Sequence, residues 1–330
     1  MEQSMSTFEK SNHPYGHFYG DQKPGKLVYL LIFLAVFLSA CGLPKNVTLL
    51  YRDDSIAASS LLWSPDGDKL AINTIRSNGI MPPITDIYIL DVKTRKTQLV
   101  VSNEFGNYLS AKSWTSDGKH VVFYAFPAKG SNYGMWLADV NSIEPPKFLA
   151  ERLQLTSVNG KSAFARGNPD TQESSLYIRD DSIGDETKVF SSKGIGIQNF
   201  SWSPDGSKLI ILFESSQRGN YRLYVFDANT KKTTQIIPDG DIRGPIFSPG
   251  GKMIAYLKAD QEGVMPPAYL HIMKSDGSCD VEVPGHLQVH SPAWSPDGKQ
   301  IAYVDNEGIY LLDLVGAFGK DIVKEGLPCP

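Results

Sequence analysis

Aspartate returns at a regular interval along this chain of 330 residues, each time three positions after an aromatic. The pairs are Tyr88 and Asp91, Trp136 and Asp139, Tyr177 and Asp180, Tyr224 and Asp227, and Tyr310 and Asp313, with His271 and Lys274 in the corresponding place between the last two. Carboxylates brought to one place are ligands for a hard cation, so a metal site is the first chemistry to weigh. One carboxylate per unit at the end of a strand has a simpler use, accepting the backbone N–H groups of the following turn. That capping role is the one expected here. His13 and His17 stand near the start, and of His120, His271, His286 and His290 only the last two are four apart. That spacing shares a face on a helix, whereas this stretch reads as loop and strand. No catalytic residue, metal ligand or cofactor is assigned.

A second set of residues is defined by its distance from a repeated motif. Trp63-Ser64-Pro65-Asp66-Gly67 recurs at Trp202 to Gly206 and at Trp294 to Gly298; Trp114-Thr115-Ser116-Asp117-Gly118 and Phe247-Ser248-Pro249-Gly250-Gly251 are close variants. Thr156-Ser157-Val158-Asn159-Gly160 is a degenerate copy that has lost its aromatic head. Four residues before each head stand Ser59, Ser110, Arg152, Gln198, Arg243 and His290, all polar. Two arginines and a histidine there could receive a carboxylate, such as that of a partner's acidic segment. The same six would equally solvate a wet channel. Between motifs lie apolar loops: Met81 and Pro82 in Gly79–Pro83, Met265 and Pro266 in Gly263–Pro267, and Phe126 in a third. They form either a sticky rim for a protein or peptide or covers folded back over their own units.

The motif heads at 63, 114, 156, 202, 247 and 294 are separated by 51, 42, 46, 45 and 47 residues, a period typical of arrays and propellers. Within a unit the motif closes a short strand, and Pro-Asp-Gly supplies a tight hairpin in which Asp tolerates and Gly accepts a positive φ. Apolar residues three and five positions past the glycine follow: Leu70 and Ile72, Val121 and Phe123, Leu209 and Ile211, Ile254 and Tyr256, Ile301 and Tyr303. This alternation is that of a strand with one packed face; the third copy offers only Ala163 and Ala165. The aromatic-x-x-Asp segment is a third strand, and a fourth follows, as at 96–101, 187–191 and 233–237. Six units of four strands without a helical period predict an all-β fold, a six-bladed propeller of four-stranded antiparallel blades over residues 47–325. Either the early strand 47–51 or residues 320–324 completes the last blade.

Composition agrees with a globular protein: 41% hydrophobic and 21% charged residues. A formal net charge of -4 without a basic run gives no reason to expect nucleic acid. Leu27 to Ala40 is free of charge and too short to span a bilayer, following Lys23 and Lys26. With Cys41 directly behind Leu38-Ser39-Ala40, it resembles the lipobox of bacterial lipoproteins, which implies a removed signal (1–40), lipidation of Cys41 and a tether (41–46) ahead of the propeller. Residues 326–330 read as a tail. Cys279 and Cys329 either pair or stand as free thiols.

Trp-Ser-Pro-Asp-Gly-Lys followed by Ile-Tyr-x-x-Asp is similar to the WD-repeat-like propeller units of the TolB family. The resemblance implies a propeller; with the lipobox, the repeats and the lack of a catalytic set, the expectation is a monomeric non-catalytic scaffold outside the cytoplasm for an envelope protein or peptide, held to the membrane by its lipid. A propeller enzyme (hydrolase, lactonase or lyase) or a glycan-binding module using the channel mouth is the alternative. The Cys41→Ala variant is expected to lose fatty-acid incorporation in metabolic labelling; undiminished labelling would refute the assignment of Cys41 as the acylated residue.

Overall fold

The computed structural model describes residues 43–52, 57–76, 84–127, 134–142, 144–150, 156–168, 170–259, 267–285, 287–305 and 308–327. The first strand is β1 (Val47–Tyr51). The first sheet comprises β2 (Ala58–Trp63), β3 (Lys69–Arg76), β4 (Ile84–Asp91) and β5 (Thr97–Val101). The second holds β6 (Gly106–Trp114), β7 (His120–Pro127), β8 (Gly134–Asp139) and β9 (Lys147–Ala150), and the third β10 (Thr156–Val158), β11 (Lys161–Asn168), β12 (Glu173–Asp180) and β13 (Glu186–Lys193). The fourth is built from β14 (Gly196–Trp202), β15 (Lys208–Glu214), β16 (Tyr221–Asp227) and β17 (Lys232–Gly240), and the fifth from β18 (Ile242–Phe247), β19 (Met253–Ala259), β20 (Ala268–Lys274) and β21 (Val281–Glu282). In the sixth, β22 (His290–Trp294), β23 (Gln300–Val304) and β24 (Ile309–Asp313) are joined by β1, which pairs antiparallel with β24 from Val47 opposite Leu312 to Tyr51 opposite Ile309. The early strand is therefore the one that completes the last sheet. Residues 320–324 instead run into a short helix: after α1 (Leu314–Phe318) comes α2 (Ile322–Glu325), whose Ile322 is buried against the fifth and sixth sheets.

In four of the sheets the motif makes the first hairpin through side-chain chemistry. Ser64 Oγ donates to Asp66 Oδ1 at 2.6 Å and accepts the N–H of Lys69 at 2.9 Å, while Asp66 Oδ1 also accepts from Asp68 N at 3.0 Å. Ser203 with Asp205, Ser295 with Asp297 and Thr115 with Asp117 repeat the pattern. The hydroxyl of its serine or threonine holds the carboxyl of Asp66, Asp117 and Asp205 below the ordinary range. Of the two turn residues expected to take positive φ, only the glycine does, at +75° in Gly67 and +70° in Gly206. The aspartate contributes acceptors instead. Asn159 and Gly160 of the degenerate copy both have positive φ, 50° and 71°, and close β10 onto β11 as a two-residue hairpin.

Packing follows the alternation read from the sequence. Leu70, Ile72, Val121, Phe123, Leu209, Ile211, Ile254, Tyr256, Ile301 and Tyr303 are all buried, each such side chain adding about 1.5–3 kcal/mol when fully withdrawn from water. Apolar clusters join the sixth sheet to the first, the first to the second, the third to the fourth, the fourth to the fifth and the fifth to the sixth. Motif tryptophans stand at these junctions: Trp63 Nε1 donates to Ala293 O at 3.0 Å and Trp114 Nε1 to Leu62 O at 3.1 Å, both on the preceding sheet's first strand.

A Cβ at Gly206 would lie 3.0 Å from both Val158 and Asn159, on backbone with φ of +70°. Gly206→Val should therefore destabilise the protein by about 1–3 kcal/mol, read as a lowered thermal midpoint; an unchanged melting curve would refute the turn geometry.

Candidate functional site

The first strands of the sheets converge: β22 lies against β2, β2 against β6, β10 against β14, β14 against β18 and β18 against β22. Residues on these strands therefore gather at the common inner edge. Nearly every first strand carries a β-bulge, a device that leaves a residue outside the ladder and re-aims its side chain. The bulge leaves out Ser59 in β2, Lys112 in β6 and Gln198 in β14. In β18 it takes up Gly244 and Pro245, and in β22 Ser291 and Pro292, with φ of +55° at Gly244 and +48° at Ser291.

Bulging changes the relation among the polar residues found four places before each motif head. Ser59 and Gln198 are bulge residues, whereas Ser110, Arg243 and His290 stay in the ladder opposite Tyr124, Leu257 and Val304. Arg152 lies outside the described residues. Ser59 Oγ donates to Asn73 O at 3.1 Å, and its own carbonyl accepts from Ser291 Oγ across the junction of the sixth and first sheets. Gln198 and His290 are exposed.

Arg243 is not an open anion receptor. Its guanidinium forks onto Asp241, with Nε 2.8 Å from Oδ1 and Nη2 2.5 Å from Oδ2, and that hydrogen bond raises its pKa. Beside this pair, burial together with the negative charge of Glu214 and Asp241 raises the pKa of Tyr221. Glu214 is buried and accepts the N–H of Gly219 at 2.9 Å. Arg218, exposed in the same loop, forms no ion pair among the described residues. The cluster can present both charges to a ligand, but no nucleophile stands against a base in it.

Lys112 is the residue left out of the ladder in β6, two places past Ser110, whereas the bulges of β2 and β14 fall on the fourth residue before the motif head. It retains much exposed area, yet surrounding atoms desolvate its ammonium and lower its pKa. No carboxylate pairs with it among the described residues.

Every recurrent aspartate caps a turn. Asp91 Oδ1 accepts from Thr94 N at 2.7 Å, Asp139 from Asn141 N at 2.8 Å, Asp180 from Ser182 N at 2.9 Å, Asp227 from Thr230 N at 2.8 Å and Asp313 from Val315 N at 3.0 Å. In the fifth sheet, where the pattern reads His271 and Lys274, Asp276 caps Ser278 instead, and His271 lies 3.3 Å from Asp280, which also accepts from Tyr256 Oη at 2.8 Å. Among the described residues no group of three histidines, cysteines or acids is placed to hold a metal ion. Cys279 is in a disulfide whose partner lies outside the described residues. Cys41, Met81, Pro82, Met265 and Pro266 also lie outside them. Phe126 is described: it is exposed and meets the rings of Tyr108 and Tyr124 edge to face, at 6.2 and 5.3 Å. Among the described residues no helix is long and apolar enough to cross a membrane.

Residues 157–310, the third to sixth sheets, match the family model described as the TolB beta propeller domain. The chain is 23% identical over 274 residues to the Tol-Pal system protein TolB of Francisella tularensis subsp. mediasiatica, an alignment covering 77% of this chain and 58% of that protein. The chain thus spans less than two thirds of the length of the curated relatives it matches. In structure it is similar to an oligogalacturonate lyase from Vibrio parahaemolyticus (TM-score 0.51, 11% identity, 81% of this chain and 93% of that one). It is also similar to TolB from Acinetobacter baumannii (TM-score 0.48, 22% identity, 80% and 71%). With the sheets, the motif hairpins and the family match in agreement, the chain carries a TolB-like β-propeller.

Proposed function

We propose that the six sheets close into a six-bladed propeller, tethered to the bacterial cell envelope by a lipid on Cys41, which acts as a monomeric, non-catalytic scaffold for a protein or peptide. The carrying observation is the division of labour among polar groups. The recurrent aspartates and the motif hydroxyls are all engaged in local turns. The residues that differ between units, Lys112, Gln198, Arg243 with Asp241, and His290, gather on the converging first strands. A surface of mixed charge and side-chain amides without an aligned nucleophile and base suits recognition better than bond cleavage. Kinship with proteins named for the Tol-Pal system supports an envelope partner, and likeness to a lyase concerns the fold alone.

Crosslinking in intact cells followed by purification of the full chain from membranes should recover a defined protein partner. The purified chain should turn over no glycoside, lactone or peptide substrate. Turnover together with a stoichiometric divalent ion and no recovered partner would overturn the scaffold reading in favour of an enzyme.

A further inference from the structure

Where the third and fourth sheets meet, a recess of about 600 Å³ opens at one end, within the usual size range of small-molecule sites. Three stretches enclose it: the end of β11 with the start of β12, the connection from β13 to β14, and the loop after β15. Glycines shape it. A Cβ at Gly194 would lie 2.8 Å from both Glu214 O and the Phe213 ring, so only glycine lets the connection settle onto the end of β15. Main-chain hydrogen bonds tie that connection to both sheets, from Gly194 N to Gln172 O at 3.3 Å and from Ile195 N to Ser215 O at 3.4 Å. Gly167 stands opposite Ser174 in the ladder, so the two share a face. That face looks toward the fourth sheet, since a Cβ at Gly196 would come 3.0 Å from Ser174 Oγ. A Cβ at Gly167 itself would meet nothing within 4 Å.

The polar groups of the motif hairpins are engaged within their own turns. Around the recess several are not. Asn168 Oδ1 accepts from Asp170 N at 3.0 Å and Thr171 N at 3.3 Å, which leaves its Nδ2 as a donor. Glu173 Oε1 accepts from Ser191 Oγ and Ser175 Oγ, while its Oε2 has no hydrogen bond among the described residues. The side-chain amide of Gln172 and the hydroxyls of Ser174 and Ser216 are equally uncommitted among them. Gln172 keeps its amide at the recess on backbone with φ of +54°, a conformation that glycine would adopt more easily.

Charge narrows the class of ligand. Among the described residues that line the recess Glu173 is the only ionisable one. The Ser191 hydroxyl holds its carboxyl below the ordinary range, so it is charged at neutral pH. Lys188 and Lys193 act on Glu173 through their charge, but neither lines the recess. An anionic ligand would therefore face a carboxylate with no cation beside it. Amides and hydroxyls supply both donors and acceptors, and a ligand carrying several adjacent hydroxyls answers them in pairs, each hydroxyl giving one hydrogen and accepting another. Ile195, 49% exposed, adds an apolar patch for the C–H face of a ring. We propose that the recess between the third and fourth sheets binds a neutral sugar ring. This site goes beyond the scaffold reading and does not rest on it.

The test uses the full chain and a matched pair of probes, methyl β-glucoside and methyl β-glucuronide, which differ only in a hydroxymethyl group or a carboxylate on the ring, followed by saturation-transfer NMR. The glucoside should bind at millimolar concentration and the glucuronide roughly threefold more weakly, the effect of one partly screened charge. Gly167→Leu, at a glycine whose φ is not positive, should abolish binding of both without lowering the melting temperature. Glu173→Gln should remove the difference between the two sugars. Absence of transfer to the glucoside, or equal transfer in wild type and Gly167→Leu, would overturn the site. A glucuronide that binds as well as the glucoside would overturn the neutral assignment. Transfer to N-acetyl-glycyl-glycine amide that Gly167→Leu removes, with none to the glucoside, would replace the sugar by a peptide. A chain that binds the glucoside yet recovers no envelope partner loses the scaffold reading alone; one that recovers its partner but shows no transfer to the glucoside loses the sugar site alone.

Discussion

An aromatic side chain pressed between one sheet and the first strand of the sheet before it is the contact on which this structure depends. A four-stranded antiparallel sheet with two apolar faces cannot stand alone in water, and each needs a neighbour on both sides. The motif head supplies that neighbour's anchor. Trp63 and Trp114 add a hydrogen bond to a main-chain carbonyl of the preceding strand, which sets angle and height as well as contact. The indole nitrogens of Trp202 and Trp294 are buried without a partner, so at those junctions the wedge acts through area alone. The hairpin just beyond the head fixes where the aromatic points, because Ser Oγ and Asp Oδ1 lock the turn from within.

The pairing of β1 with β24 extends the same logic to the ends of the chain. Five of the sheets are built from consecutive strands, and the sixth is completed by the earliest described strand. Asn46 O accepts the N–H of Asp313 at 2.7 Å, and Asp313 in turn caps the short helix that follows. Val47, Tyr310, Leu312 and Ile322 share one apolar cluster with the fifth sheet. Separating the two ends would expose that cluster and free an edge of β24 for pairing with other chains.

Most of the architecture was legible because the turn chemistry is local: a hydroxyl, a carboxylate and a glycine within four residues suffice to specify a hairpin, and they recur. The strand that closes the sixth sheet could not be chosen from sequence, since Val47 to Tyr51 and Lys320 to Lys324 are both short, and only pairing geometry separates a strand from a helical turn. At the inner edge the bulges defeated a constant offset from the motif. In β6 the bulge falls on Lys112, two places past Ser110, while the β18 and β22 bulges fall on Gly244 and Ser291, just after Arg243 and His290. Asp241, two residues before Arg243 and on the same side of the chain, was a signal that went unused. The thin packing of the third unit showed in the sequence as a lost aromatic at Thr156 and a weak alternation at Ala163 and Ala165.

What repeats in this chain builds it, and what varies is available for recognition. The measurement that bears most directly on that division is site-specific photocrosslinking in intact cells, with benzoylphenylalanine placed in turn at Phe126, Gln198 and His290 and at Asp117 in a motif hairpin. Covalent adducts to one and the same protein from Phe126, Gln198 or His290 and none from Asp117 are the predicted result. Adducts from the hairpin, with none from the three variable positions, would contradict it.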